Sequence, residues 1–369
     1  MIGRPVPLGV VAILVLAGPG AWTTPAPDYA WHFPADHWAH PDYRNEWWYF
    51  TGHLTPPGRA APRFAYQFTV FRIGVVPAAP PLSSTWTASA IFMGHAALID
   101  LDTGRHTFSE VLYRAGSVLA GFNPAPDPLV AWSRAPAGTD GRWTLRWNGT
   151  AFDLAMTDRT AGFALTLSTT PARPRVFQAP NGYSRKAASG PWASLYYSFP
   201  RLTTEGWVVR GRDTVRVTGQ SWMDKEFGSN QLPPHQIGWD WYSLQLDDGT
   251  DIMLYVLRRA DGSTDYRHAT VVTPTGRVTF PPPERWSAQA RGTWHSPSTN
   301  TTYPAGWTVR VAGRTLAIEP LVADQENVSA LVPDLFYWEG AVVIREADRP
   351  VGRGFVELTG YGTASRPAI

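Results

Sequence analysis

No stretch of this chain holds an apolar period of 3.6 residues for long, and that constrains its fold more than any other feature. Hydrophobic residues come in short runs rich in aromatic and β-branched side chains, which stop at Gly, Pro or Asp. In the first half such runs occupy 46–51, 64–73, 87–101, 105–113, 143–148, 152–156 and 163–168. The second half repeats the style at 208–210, 214–222, 239–246, 251–258, 267–273, 307–311, 315–318, 336–345 and 354–361. Asn148-Gly149 between two of the runs is a hairpin turn, and Asp247-Asp248-Gly249, Asp261-Gly262 and Thr275-Gly276 are further turns. The chain is therefore read as all-β, with two halves of short meandering strands forming two barrels or strongly curved sheets packed together.

Its length of 369 residues allows two such halves, and 44% hydrophobic against 17% charged residues excludes a disordered chain. A formal charge of +2, with no Lys/Arg-rich run, gives no footprint for nucleic acid or another polyanion. Met1 to Ala21 has the layout of a secretory signal peptide: Arg4, an apolar run from Val6 to Ala17, then small turn-prone residues. The run is too short for a comfortable membrane span, so the mature protein is expected to be exported, periplasmic or secreted, with no stable membrane insertion. With no Cys in the sequence, disulfides are excluded. The expected division is 1–21 signal peptide, 22–45 Pro-rich connector and lead-in, 46–203 first β domain and 204–369 second β domain.

The stretch from Gly219 to Leu246 sets carboxylates among large rings: Trp222, Asp224, Lys225 and Glu226, then Trp239, Asp240, Trp241 and Tyr242. An ionised group in an apolar wall is costly unless hydrogen-bonded, paired or protonated, so this stretch is the candidate site. In an extended strand Trp222, Asp224 and Glu226 share one face, while Met223 and Lys225 take the other. By the same alternation Asp240 with Tyr242 is the polar pair expected to face a cavity, with Trp239 and Trp241 more naturally core. Glu46, Trp48 and Phe50 share a face, and Gln67 and Arg72 lie on opposite faces of their strand. The alternative reading makes Asp224 and Glu226 structural, bonded to backbone donors or paired with Arg72, Lys225 or Arg258. His95 in an apolar strand is a proton-transfer candidate or a satisfied core residue. Asp36, His37, His40, Asp42 and Glu46 include suitable zinc ligands, but their spacing fits no strong signature and no metal is expected. Gly-x-Ser-x-Gly is absent, so no serine-hydrolase triad is evident.

Phe33-Pro34-Ala35-Asp36-His37, His40-Pro41, Glu46 to Gly52, Tyr66-Gln67, Phe71-Arg72, Ala193 to Ser198, Gly219 to Gly228, Gly238 to Trp241, Tyr337 to Gly340 and Glu357 to Tyr361 together resemble the lipocalin-like AttH/carotenoid 1,2-hydratase group, often called predicted secreted hydrolases. The resemblance implies two lipocalin-like β-barrel halves around an apolar-lined cavity, and an activity such as hydration of an isoprenoid double bond or a related reaction on a polyene. Met223 stands where the resemblance places a His in hydratase members. On this reading Asp224 donates the proton, with Glu226, Asp240 or Tyr242 assisting, and Trp48, Gln67, Arg72, His95, Tyr197, Trp222, Trp239 and Trp241 contact a hydrophobic small molecule; no cofactor is needed. A carrier of such a molecule and an accessory module of an export system are the alternatives.

Overall fold

A computed structural model describes residues 21–77 and 87–362. The expected signal peptide lies almost wholly outside the described residues. Thirteen strands form a first, nearly closed barrel sheet. Its path runs from Arg105–Arg114 through Ala90–Asp100, Phe64–Gly74 and Asn45–Thr55 to the long strands Asp213–Asn230 and Ala193–Arg210. It then returns through Phe163–Pro171, Phe152–Asp158, Arg142–Trp147 and Leu129–Arg134 to Ala120–Phe122. Ten strands make the second sheet, with Gln236–Leu246 at its centre between Asp251–Arg259 and Arg349–Leu358, and Phe336–Glu346 beyond. Helix is limited, among the described residues, to three short 3-10 turns. The Asn148-Gly149 hairpin forms, with Trp147 paired to Phe152 and Gly149 at φ +99°.

Period-two alternation explains why the central strands are buried on both faces. Along Asn45–Thr55, Trp48 and Phe50 enter the first barrel's core, while Tyr49 packs in a separate cluster with Trp222, Trp241 and Tyr255. That cluster draws on both sheets and forms the seam between them. A third cluster around Tyr242, Trp307 and Trp338 fills the second barrel. The seam is closed by buried charge: Arg173 and Arg201 of the first unit reach Asp251 at 2.9 and 2.7 Å. Gln245 Nε2 also donates to the Pro200 carbonyl at 2.6 Å.

The expected division at 203/204 falls inside the Ala193–Arg210 strand, and the chain passes between sheets at 231–235. Pro200 lies within that strand. It lacks an N–H for the ladder, yet the strand carries it through a register shift between Phe199 and Leu202, which leaves that position unpaired.

Candidate active site

Eighteen residues from both sheets line a cavity in the seam, with room for the centre of a water molecule over about 90 Å³. Asn45–Thr55 contributes Trp47 and Tyr49; Phe64–Gly74 contributes Gln67, Thr69 and Phe71; Asp213–Asn230 contributes Asp224 and Glu226. The second sheet faces them with Trp239 and Trp241, Tyr255 and Leu257, Tyr337 and Glu339, and Glu357. Trp47, Phe71 and Trp239 are partly exposed, whereas Asp224, Tyr196 and Glu339 are buried.

Strand alternation puts Asp224 and Glu226 on this wall, with Trp222 behind them, and sends Met223 and Lys225 into the first barrel. Asp224 has no cationic partner among the described residues. Its Oδ2 accepts from the Tyr196 hydroxyl at 2.7 Å, and its Oδ1 from Trp222 Nε1 at 2.7 Å and from the Ser198 hydroxyl. Trp241 Nε1 donates in turn to the Tyr196 oxygen at 3.1 Å. Burial pushes Asp224 up to about 7 against the three donors, with Glu226 adding to the rise. Three donors aimed at both oxygens oppose that rise by favouring the ionised form, the form in which a carboxyl can take up a proton. Glu226 differs, because Lys186 Nζ lies 2.8 Å from its carboxylate.

Two further acids complete the cavity. Glu339 and Glu357 are register partners on adjacent strands, and Trp241 is the partner of Glu357 on its other side. Burial, then Glu357, holds Glu339 well above the usual carboxylate range; burial pushes Glu357 up to about 8. The Tyr49 hydroxyl donates to Glu339 Oε1. The sequence reading missed both glutamates, along with Trp47, Tyr49, Lys186, Tyr196, Tyr255 and Tyr337. A signal was present: Glu339 alternates with Tyr337, and Glu357 interrupts the apolar run Phe355-Val356-Leu358.

Several expected site residues lie elsewhere. Asp240 and Tyr242 point away from the cavity, so the expected faces of this strand are exchanged: Trp239 and Trp241 line the wall. Asp240 sits 2.8 Å from Arg258 Nε and accepts from Tyr361 at 2.9 Å, an internal ion pair of the second barrel. Both faces of Gln236–Leu246 are covered, so exposure offered no cue to which would hold the cavity. Trp48, Arg72 and Tyr197 face the first barrel instead. Lys225 Nζ lies 3.4 Å from the Trp48 ring centre, Arg72 Nε is 3.0 Å from Glu46, and the Tyr197 hydroxyl meets His37 Nδ1 at 2.7 Å. Gln67 lies on the cavity wall. His95 sits behind it, with Nδ1 2.8 Å from the Tyr337 hydroxyl, and burial drives it down to about 3, which keeps it neutral. His40 bridges Glu46 at 2.6 Å and Asp36 at 3.1 Å within the first barrel's polar cluster.

Paired lipocalin-like barrels meeting at an acidic, aromatic-walled cavity define a lipocalin-like β protein. The chain belongs to the AttH-like family, whose model matches residues 24–361. An AttH-type protein of Nitrosomonas europaea has the same fold, with a TM-score of 0.80 and 33% identity over 91% of this chain and 99% of that one. Kievitone hydratase of Nectria haematococca shares the fold at a TM-score of 0.65 and 14% identity, over 93% of this chain and 97% of the hydratase. The dehydratase asqC of Emericella nidulans is 27% identical over 142 residues, so the match spans 36% of this chain and 39% of that protein.

Proposed function

We propose that this protein adds water to, or removes it from, a carbon–carbon double bond of an apolar, isoprenoid- or polyene-like molecule held between its two barrels. The observation that carries this reading is Asp224: a buried carboxyl without a cation, poised at about 7 and bonded by Tyr196, Trp222 and Ser198 at the wall of an aromatic cavity. A carrier needs apolar walls alone, and uncompensated acids would cost it stability for no gain. Protonating a double bond leaves a cation that the faces of Trp47, Trp239 and Trp241 stabilise. Water then captures the cation while Asp224 takes up the water's proton. The hydratase and dehydratase among the similar proteins support the same class of reaction. The signal-like start supports action after export.

The test is to incubate the purified protein with prenyl alcohols, prenylated phenols and linear polyenes in ¹⁸O-labelled water. Mass spectrometry is expected to find one labelled hydroxyl in a product. Tight binding of such a molecule with no label incorporated in any of them would leave a carrier.

A further inference from the structure

We propose that Glu339, a buried carboxyl that faces Glu357 across adjacent strands, is the proton donor of this cavity, so that the second barrel supplies the acid and the first barrel the base. The inference rests on the hydratase reading and adds to it a group that Asp224 alone does not provide.

Geometry carries the argument. Glu339 and Glu357 stand opposite each other on adjacent antiparallel strands, where facing side chains have Cβ atoms about 4.5–5.5 Å apart. Two carboxyls so placed in a buried wall cannot both ionise. Among the described lining residues Lys186 is the single cation, and it is engaged by Glu226. Glu339 is fully buried. Its Oε1 accepts from Tyr49, while its Oε2 has no hydrogen-bond partner. A carboxylic acid in this position has its acceptor oxygen satisfied and its O–H bearing oxygen free to meet a ligand. The titratable groups lining the same cavity are Tyr49, Lys186, Tyr196, Asp224, Glu226, Tyr255, Tyr337 and Glu357. Burial favours the protonated form of Glu339, and Glu357 and Asp224, where ionised, add to it.

The step balances. Glu339 passes its proton to one carbon of the double bond, whose π pair becomes the new C–H bond. A water oxygen bonds to the other carbon through a lone pair, and that water's proton passes to Asp224. Glu339 ends as carboxylate and Asp224 as acid, and proton exchange with solvent resets both. Run backwards, the step dehydrates an alcohol.

Infrared spectroscopy of the full chain at neutral pH tests the protonated pair without any ligand, and the labelled-water assay tests its use. A protonated-carboxyl band is expected in the wild type, retained in Asp224→Asn and lost or halved in Glu339→Gln. Hydration is expected to fall by about 100-fold or more in Glu339→Gln. Glu357→Gln, a change at a positioning residue, is expected to move the basic limb of the pH–rate profile downward. Absence of the band in the wild type, or full hydration by Glu339→Gln, overturns the proposal. A band that Glu339→Gln removes, in a protein that hydrates none of the molecules offered, refutes the hydratase reading and leaves the proton-sharing pair standing.

Discussion

The strand Asp213–Asn230 carries charge in two opposite ways on adjacent residues. On its barrel face Lys225 meets Glu46, which also receives Arg72 at 3.0 Å and His40 at 2.6 Å. Burial opposes the charge on Glu46, but Lys225, then His40 and Arg72, outweigh it and hold the carboxyl well below the usual range. On the seam face Asp224 is held by hydroxyls and an indole alone, and burial wins. Both sites are buried and acidic, so burial does not distinguish structure from function. Compensation separates them: the barrel cluster binds the lead-in segment 36–43 to the sheet and its Glu46 is held ionised, whereas Asp224, Glu339 and Glu357 in the seam are all pushed up.

Substitutions at neighbouring positions break this contrast most directly. Asp224→Asn is expected to lower hydration by about 100- to 10,000-fold in the labelled-water assay. Stability should change by no more than about 1–3 kcal/mol, because the neutral amide escapes the penalty of ionising in a buried site but sets its own N–H donors against a donor that Asp224 accepts from. Lys225→Met, one residue along, is expected to cost about 3–5 kcal/mol in urea unfolding, since it strips a fully buried carboxylate of its nearest cation. A loss of activity in Asp224→Asn that merely tracks lost stability would erase the contrast.

The two faces also carry opposite pH signs. Glu46 has a depressed value, so its stabilisation is full above its ordinary value of 4.5 and is lost as the pH falls below it. Asp224 is raised from 3.8 to about 7, so the folded state binds its proton more tightly and stability declines as the pH rises from about 4 to about 7. Urea midpoints measured from well below pH 4.5 up to neutral pH should show both limbs, with the neutral-side decline reduced in Asp224→Asn and the acid-side loss reduced in Glu46→Gln. The smallest effect is expected at Asp240, whose ion pair with Arg258 lies outside the cavity. Asp240→Asn should cost about 1–3 kcal/mol of stability and leave hydration unchanged. A drop in turnover at full stability would return Asp240 to the site.

Part of the first barrel's wall, Gln67, Asp224 and Glu226, was legible, because strand alternation is a local property. Once 221–226 is extended, Asp224 and Glu226 must part from Met223 and Lys225, and Gln67 from Arg72. The same rule separates Trp239 and Trp241 from Asp240 and Tyr242, but it does not say which face meets the cavity. Polarity pointed to Asp240, and the structure satisfies that polarity with Arg258 and Tyr361 instead.

That the chain is all-β, which residues share a face and how acids and rings interleave all follow from a two-residue period and residue chemistry. Where the cavity lies, and which acids are pushed up, follow from how the two sheets pack. Glu339 and Glu357 are more than 100 residues from Asp224 in the chain. They share a wall with it because two sheets meet across a seam, and their reluctance to ionise depends on which cations that packing brings near and which it leaves on the far face.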